Sequence, residues 1–206
     1  RMKAKLYAFL NSRTYTLRLY KESDHSITSR YARAVAHYRR ADLGKALPLI
    51  DGLIAERPND PYFHELKGQM LFENRRGPEA LKSYRTAVRL KPDSALLRTD
   101  LAKIELESND PALLESAILN LKVAQRYERN VPSTWHQLAI AYGRKGEMGS
   151  SALAMAEEAM LRNKKTDARY HAGKAAKLLP RGSRGWLHAQ DILFSIDKSS
   201  KSGKKK

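Results

Sequence analysis

The clearest hydrophobic pattern in the chain lies between Pro61 and Pro92. Apolar residues recur there twice at helical spacing, and a polar turn, residues 74–78, separates the two runs. A proline opens the first run and another closes the second, and both are positions that bound helices. The stretch therefore predicts two helices joined by a turn, with apolar positions at Phe63, Leu66, Met70 and Leu71 in the first and Ala80, Leu81, Tyr84, Ala87, Val88 and Leu90 in the second.

This helix pair recurs along the chain with a constant period. Small residues stand 34 positions apart at Ala34, Gly68 and Ala102, and a further copy opens at Trp135. Small residues at these positions let the two helices of a hairpin approach closely. The period and the small positions resemble those of the tetratricopeptide repeat (TPR). The sequence thus predicts an all-α, TPR-like superhelical solenoid of about five antiparallel helix hairpins with a C-terminal capping helix.

Composition divides the chain into three parts. Residues 1–26 are interpreted as a connector helix and loop from an upstream domain, residues 27–197 as the TPR solenoid, and residues 198–206 as a disordered basic tail. The loop is expected over residues 11–26, with its tyrosines and leucines packed on the first hairpin. Later helices are expected at about 94–107, 111–127, 132–145, 148–163, 165–178 and 183–197.

The distribution of charge narrows the class of partner. The formal net charge is +17, and residues 1–45 carry 11 Lys and Arg against 3 Asp and Glu, residues 46–130 carry 13 against 13, and residues 131–206 carry 15 against 6. Such a field favours acidic proteins or an anionic surface, but the neutral middle argues against nucleic acid bound along the repeats. The chain has no cysteine, which excludes disulfides and thiolate chemistry, and no apolar run long enough to predict a transmembrane segment.

The one fragment that suggests catalysis is His64-Glu65-Leu66-Lys67-Gly68. A zinc protease helix carries HExxH, because two histidines one turn apart bind the metal while the glutamate activates water. Here Gly68 stands where the second histidine would be, and it is also the small position of the repeat. Glu105, Glu107, Glu157 and Glu158 are interpreted as solvated helix faces. The sequence thus predicts no catalytic residue, no metal ligand and no cofactor within this chain.

The first helix of each hairpin is expected to line an inner groove that binds a protein or peptide. Aromatic rings beside Arg, Gln and Lys can offer apolar area together with hydrogen bonds to a bound backbone or carboxylate. The alternative for each aromatic residue is packing between repeats. Counted from the repeat register, the candidate groove residues are Tyr31, Tyr38, Arg39, Tyr62, Glu65, Gln69, Phe72, Thr99, Lys103, His136 and Arg144.

Three segments resemble one protein family more specifically. The stretches PYFHELKGQMLFEN, WHQLAIAYGRKGE and LLPRGSRGWLHAQDIL are similar to the C-terminal TPR domain of bacterial periplasmic HExxH zinc metalloproteases of the BepA type. The resemblance implies an upstream secreted peptidase domain that holds the zinc. It also implies a periplasmic location and a role in outer-membrane protein quality control, with the repeats contacting clients, the assembly machinery and the peptidase domain itself.

Two classes of function follow from these observations. The first is a non-catalytic protein–protein interaction domain of such a protease, which recruits or positions substrates. The alternative is a free-standing basic TPR adaptor that binds acidic partners, nucleic acid or an anionic membrane surface. Nucleic acid is disfavoured by the neutral centre and by the lack of a recognised nucleic-acid motif. Binding that falls steeply with salt would favour the alternative.

Overall fold

A computed structural model describes the backbone of residues 2–202 and the side chains of residues 2–198. Within that range the chain is helical throughout and contains no strand, which confirms the predicted all-α class. A short 3-10 turn, Pro111–Leu113, leads into the eighth helix. The helices are α1 (Met2–Leu10), α2 (Arg13–Leu19), α3 (Ile27–Tyr38), α4 (Leu43–Glu56), α5 (Pro61–Glu73), α6 (Gly77–Leu90), α7 (Ala95–Glu107), α8 (Leu114–Tyr127), α9 (Pro132–Arg144), α10 (Met148–Leu161), α11 (Lys165–Leu178) and α12 (Arg184–Ser202).

The helices form consecutive hairpins in two compact units. Unit 1, Arg1–Pro92, contains the hairpins α3–α4 and α5–α6, preceded by α1 and α2. Unit 2, Asp93–Lys206, contains α7–α8, α9–α10 and α11–α12. About five hairpins are thus present among residues 2–202, as predicted, and they are distributed over two units. Helix α12, which was predicted to close the solenoid as a single capping helix, packs mainly on α11 as the second helix of the last hairpin.

Local sequence signals set the ends of these helices. The side chains of Ser26, Asp42, Asp60 and Ser94 accept hydrogen bonds from backbone N–H groups in the first turn of the helix that follows each of them. Pro61 and Pro132 occupy the first position of α5 and α9, where no amide hydrogen is required. These signals are local, and for that reason most predicted boundaries lie within a few residues of the observed ones.

Each turn inside the first three hairpins contains one residue in the left-handed backbone conformation. Ala41, Arg75 and Asn109 have φ angles of 57°, 62° and 54°, and they stand one repeat period apart. Gly146, with φ of 82°, has the same role between α9 and α10. At the first two turns the following amide donates to a carbonyl five residues earlier, Asp42 to His37 and Arg76 to Leu71, which completes a Schellman motif. The repeat therefore recurs in backbone geometry as well as in side chains.

Gly68 shows why the repeat needs a small residue in its first helix. A Cβ atom on Gly68 would lie 2.4 Å from Cδ2 of Tyr84 on α6. The alanines at the equivalent positions, Ala34 and Ala102, are fully buried. Close approach of the paired helices thus depends on these positions, as the sequence pattern predicted.

Each unit has a hydrophobic core of its own. In unit 1 a single cluster joins α1, α3, α4 and α5 and includes Ala8, Tyr31, Ile50, Phe63 and Leu66. Unit 2 contains a cluster between α7, α8, α9 and α10 and two alanine-rich clusters that involve α10, α11 and α12. Among residues 2–202, no helix is both long enough and apolar enough to cross a bilayer.

Two expectations at the ends of the chain are wrong. The predicted loop over residues 11–26 contains helix α2, because Ser12 caps it by accepting a hydrogen bond from the Tyr15 amide. Of the side chains expected to pack on the first hairpin, Tyr15 and Leu19 are exposed, whereas Leu17 and Tyr20 are half-buried. The remaining loop is held by the buried Arg33, whose guanidinium donates to the carbonyls of Lys21 and Asp24.

The sequence predicts a disordered tail from residue 198 onward, but α12 continues to Ser202. Asp197, near the end of this helix, pairs with Arg169 on α11 at 2.6 Å. A polar segment can extend a helix when its preceding turns are packed, because adding a residue to an existing helix costs far less than starting one. The rest of the predicted tail, residues 203–206, lies outside the described residues.

Candidate functional site

The candidate groove residues of unit 1 belong to α3 and α5, and this face is occupied by helix α1. We call the surface that Tyr38, Arg39 and Glu65 share the α3–α5 face. Ala4 and Ala8 of α1 are fully buried, and Ala8 belongs to the same cluster as Tyr38. The chain thus places its own N-terminal helix where a partner was expected.

An ion pair fixes the middle of α1. Lys5 Nζ donates to both carboxylate oxygens of Glu65, at 2.9 and 3.0 Å. The Glu65 side chain is only 8% exposed, whereas that of Lys5 is 30% exposed. A carboxylate buried to this extent requires a partner, because an unpaired charge in such a site is costly. Lys5 therefore satisfies a carboxylate that was predicted to face a bound peptide.

Arg39 holds the C-terminal end of α1. Its Nη1 donates to the carbonyl oxygens of Ala8 at 3.0 Å and Asn11 at 3.2 Å. The last carbonyls of a helix lack partners within the helix and carry partial negative charge, so an arginine satisfies both needs. The guanidinium carbon of Arg39 also lies 5.6 Å from the centre of the Phe9 ring.

Tyr38 connects α1 to α5, because its buried ring contacts α1 and its hydroxyl group bonds to α5. Its ring meets that of Phe9 edge to face, with centroids 6.4 Å apart. Burial, followed by the hydrogen bond and charge of Glu73, raises the pKa of Tyr38, while a hydrogen bond with Gln69 opposes the shift. Gln69 Nε2 in turn donates to Glu73 at 3.0 Å. Gln69 is therefore part of a network that orients Tyr38.

The other unit 1 candidates differ in accessibility. Tyr31 is buried in the core, where its ring lies 5.8 Å from that of Phe63, so it packs between the hairpins and is not open to a partner. Tyr62 and Phe72 on α5 are half-buried. These two side chains are the unit 1 candidates that combine an aromatic ring with partial exposure.

The unit 2 candidates contact other side chains or backbone groups of the same unit. Thr99 Oγ1 lies 3.2 Å from Thr134 Oγ1, which links α7 to α9, and the exposed Lys103 lies 3.9 Å from Glu107. His136 Nδ1 lies 2.9 Å from Glu158 Oε2 on α10.

Arg144 donates to the carbonyl of Leu106 at the end of α7. The side chains of His136 and Arg144 therefore hold helices together within unit 2. That the unit 2 candidates bind a partner stays a prediction.

The interpretation of Glu105 as part of a solvated face is wrong. Its carboxylate is buried between α7 and α8, where it accepts hydrogen bonds from Ser116 Oγ at 2.7 Å and Asn120 Nδ2 at 3.2 Å. Arg98 Nη1 donates to Asn120 Oδ1 at 2.9 Å and extends the network. Helical periodicity did not identify this position because the hydrogen-bonding partners come from the next helix.

Unit 2 also has a cationic pocket of about 480 Å³, which the sequence did not suggest. Lys122, Gln125, Arg126, Arg129, Asn130, Trp135, Glu157, Leu161 and His188 line it. His188 pairs with Glu157, and this hydrogen bond raises the pKa of His188. The Nε2 of Gln125 is buried without a hydrogen-bond partner among the described residues. The pocket therefore presents several cationic side chains.

The fragment His64-Glu65 does not fit zinc in this structure. His64 Nε2 lies 2.7 Å from the carbonyl oxygen of Pro58, and Glu65 is occupied by Lys5. Across the described residues, no cluster of three His, Cys, Asp or Glu has an arrangement that would hold a metal ion. Both side chains therefore make contacts within the fold and are not positioned as metal ligands.

Comparisons with known proteins identify the type of repeat. The sequence model of the family described as tetratricopeptide repeat matches residues 31–95. This chain has a tetratricopeptide repeat fold. No match was found among curated protein sequences.

Solved structures resemble the chain over most of its length. MamA from Desulfovibrio magneticus RS-1 is 13% identical with a TM-score of 0.59, covering 91% of this chain and 96% of that one. PilW, a widely conserved type IV pilus biogenesis factor, is 14% identical with a TM-score of 0.55, covering 87% and 94%. A thermophilic TPR protein of Thermus thermophilus is 18% identical with a TM-score of 0.51, covering 82% and 100%. At these identities the likeness concerns the fold alone.

The candidate groove residues counted from the TPR register lie on the first helices of the hairpins or, for Arg39, at the C-cap of one. The register does not reveal what covers them. Lys5, Ala8 and Phe9 lie outside the repeat and carry no motif. Their only sequence signal is a pair of alanines one helical turn apart, Ala4 and Ala8. The role of α1 could therefore not be recognised from the repeat pattern.

Proposed function

We propose that this chain is a non-catalytic protein-interaction domain that binds partner proteins through the inner helices of its TPR hairpins. The observation that carries the proposal is the α3–α5 face. It already holds a helix by contacts to side chains and to backbone carbonyls, through Glu65, Tyr38 and Arg39. A surface that pairs with a lysine side chain and donates hydrogen bonds to the carbonyls at a helix end has the chemistry needed to recognise a polypeptide.

Site-specific photocrosslinking tests this proposal. Benzoylphenylalanine at Phe72, on the inner helix α5, is expected to capture a protein partner in cells. The same group at the exposed Arg85 of α6 is the control. Adducts of similar identity and yield at both positions, or none at Phe72, would argue against binding through the inner helices.

We further propose that the domain belongs to a periplasmic zinc metalloprotease of the BepA type, with zinc and catalysis in an upstream peptidase domain. In this proposal the repeats present clients in outer-membrane protein quality control and contact the assembly machinery. Its support is the resemblance of the three segments quoted above. The coding sequence before residue 1 tests it: a signal peptide and an HExxH domain are expected, and a start codon directly before residue 1 would refute it.

The cationic pocket of unit 2 favours a second candidate function, binding of acidic or anionic partners. Its cationic side chains suit a carboxylate or phosphate group. A salt titration against an acidic protein, nonspecific RNA and anionic vesicles separates these classes. Tight binding to RNA or vesicles that falls steeply with salt would favour this candidate over the protease domain.

A further inference from the structure

Helix α1 makes four separate kinds of contact with the α3–α5 face. Ala8 belongs to the same buried cluster as Tyr38, Ala4 one helical turn before it is fully buried, and Lys5 pairs with Glu65. Phe9 lies edge to face on Tyr38. The carbonyls of Ala8 and Asn11 accept from Arg39. Through these contacts the face is complementary to four features of α1: its small side chains, its lysine charge, its aromatic ring and its C-terminal end.

In sequence the four contacts correspond to a short pattern, Ala-Lys-x-x-Ala-Phe, followed by a helix terminus. The spacing places both alanines and the lysine on neighbouring positions of one helix surface. Larger side chains at the alanine positions would prevent close approach, and a lysine is required to pair with the buried Glu65 carboxylate. The α3–α5 face therefore selects a particular kind of helix.

The outer face of α1 is unusual for a helix that packs on a core. Met2, Leu6 and Leu10 are 83%, 59% and 75% exposed and follow one another at intervals of four residues. These three apolar side chains thus point away from the binding face. The contacts of α1 are made by two buried alanines, by the half-buried Phe9 and by Tyr7, whose ring meets that of Tyr20 edge to face. Met2, Leu6 and Leu10 add little to hydrophobic burial, so the attachment of α1 relies in part on the polar contacts of Lys5 and Arg39.

We propose that α1 is a built-in competitor for the α3–α5 face, and that the partner of this face is a protein helix with the Ala-Lys-x-x-Ala-Phe pattern, which binds when α1 leaves. This inference rests on the proposed interaction function and specifies its ligand and its control. Because α1 is tethered to the site, its effective concentration keeps the face closed to weak or dilute ligands. Loss of the Lys5–Glu65 pair opens it.

A fluorescein-labelled peptide of residues 2–12, MKAKLYAFLNS, tests the proposal on the full chain. Lys5→Glu places a second carboxylate beside Glu65 and releases α1, so fluorescence anisotropy should show the peptide binding at least about tenfold more tightly than to the unmodified protein. Lys3→Glu is the matched control, because Lys3 is exposed on the same helix and undergoes the same charge change. Equal affinity for the Lys5→Glu and Lys3→Glu proteins would overturn the proposal.

A charge exchange distinguishes recognition from a general loosening of the fold. Glu65→Lys should lose the peptide and bind instead a peptide with glutamate in place of Lys5. The double variant Lys5→Glu with Glu65→Lys should close the face again and bind both peptides weakly.

Hydrogen exchange should show α1 exposed and α3 to α6 protected in the Lys5→Glu protein. Binding of either peptide regardless of charge would refute the inferred ligand. A partner captured at Phe72 would still support the interaction function in that event.

Discussion

At the scale of single residues, the fold depends on two kinds of position. One kind has room only for a small side chain, and the other requires a left-handed backbone conformation. Gly68 meets the ring of Tyr84 on α6, whereas Gly52 on α4 is exposed, and a Cβ atom added there would have no neighbour within 4 Å. The two glycines therefore have opposite roles although both lie in helix interiors. One permits a close contact, and the other only adds backbone entropy to the unfolded chain.

Substituting these two glycines by alanine should change stability in opposite directions. Gly68→Ala forces the Tyr84 ring to move and should lower the free energy of unfolding by about 1–3 kcal/mol. Gly52→Ala should raise it by about 0.5–1 kcal/mol, because alanine is the better helix former and meets no neighbour. Urea denaturation followed by circular dichroism measures both. A stabilised Gly68→Ala protein would show that the contact with Tyr84 is not limiting.

The left-handed turn residues make a second prediction at this scale. Ala41 has a φ angle of 57° without the local hydrogen bonds that make asparagine tolerant of this conformation. Ala41→Gly should stabilise the protein by up to about 1 kcal/mol. Asn109→Gly, at the equivalent turn, should change the free energy of unfolding by less than about 0.5 kcal/mol. Equal changes in the free energy of unfolding from the two substitutions would show that the left-handed conformation of Ala41 does not destabilise the protein.

At the scale of helices, the attachment of α12 includes a titratable pair. His188 on α12 bonds to Glu157 on α10, and this hydrogen bond raises the histidine pKa although burial opposes it. A histidine whose folded pKa lies above its unfolded value stabilises the fold fully below about pH 6.5, and this contribution disappears as the pH rises through the folded pKa. In unit 1, burial lowers the pKa of His37, which gives the opposite dependence.

The difference between wild type and His188→Gln therefore isolates the α12 contact. Thermal unfolding should show a larger loss of Tm for His188→Gln at about pH 5.5 than at about pH 8.5, on either side of the histidine titration. Because His37 is present in both proteins, its own pH dependence cancels in the comparison. A Tm difference that is constant across this range would mean that the His188–Glu157 pair does not contribute to the attachment of α12.

At the scale of the whole molecule, the two units differ in their optical probes. Trp135 and Trp186 both belong to unit 2, whereas circular dichroism reports helices of both units. Since Gly68 lies in unit 1, Gly68→Ala should move the circular dichroism transition to lower urea while the tryptophan fluorescence transition moves less. Coincident transitions in this variant would show that the molecule unfolds as one cooperative unit.

The sequence predicted the hairpins, most helix ends and the placement of the candidate residues on or next to the first helices of the hairpins, because each of these is encoded locally. Periodicity, capping residues and the 34-residue spacing of small positions require no knowledge of distant contacts. The burial of Glu105 and the cationic pocket around Trp135 could not be predicted in this way. Each depends on side chains from different helices whose approach no local pattern specifies.

By itself, the sequence determined an all-α TPR fold, its hairpin register and the absence of cysteine chemistry, since these follow from composition and short-range spacing. Only the tertiary structure decided that α1 lies on the α3–α5 face, with Lys5 against Glu65 sixty positions away. Such a contact is set by packing and by the cost of leaving a buried carboxylate unpaired. For the same reason, the surface expected to receive a partner holds part of its own chain.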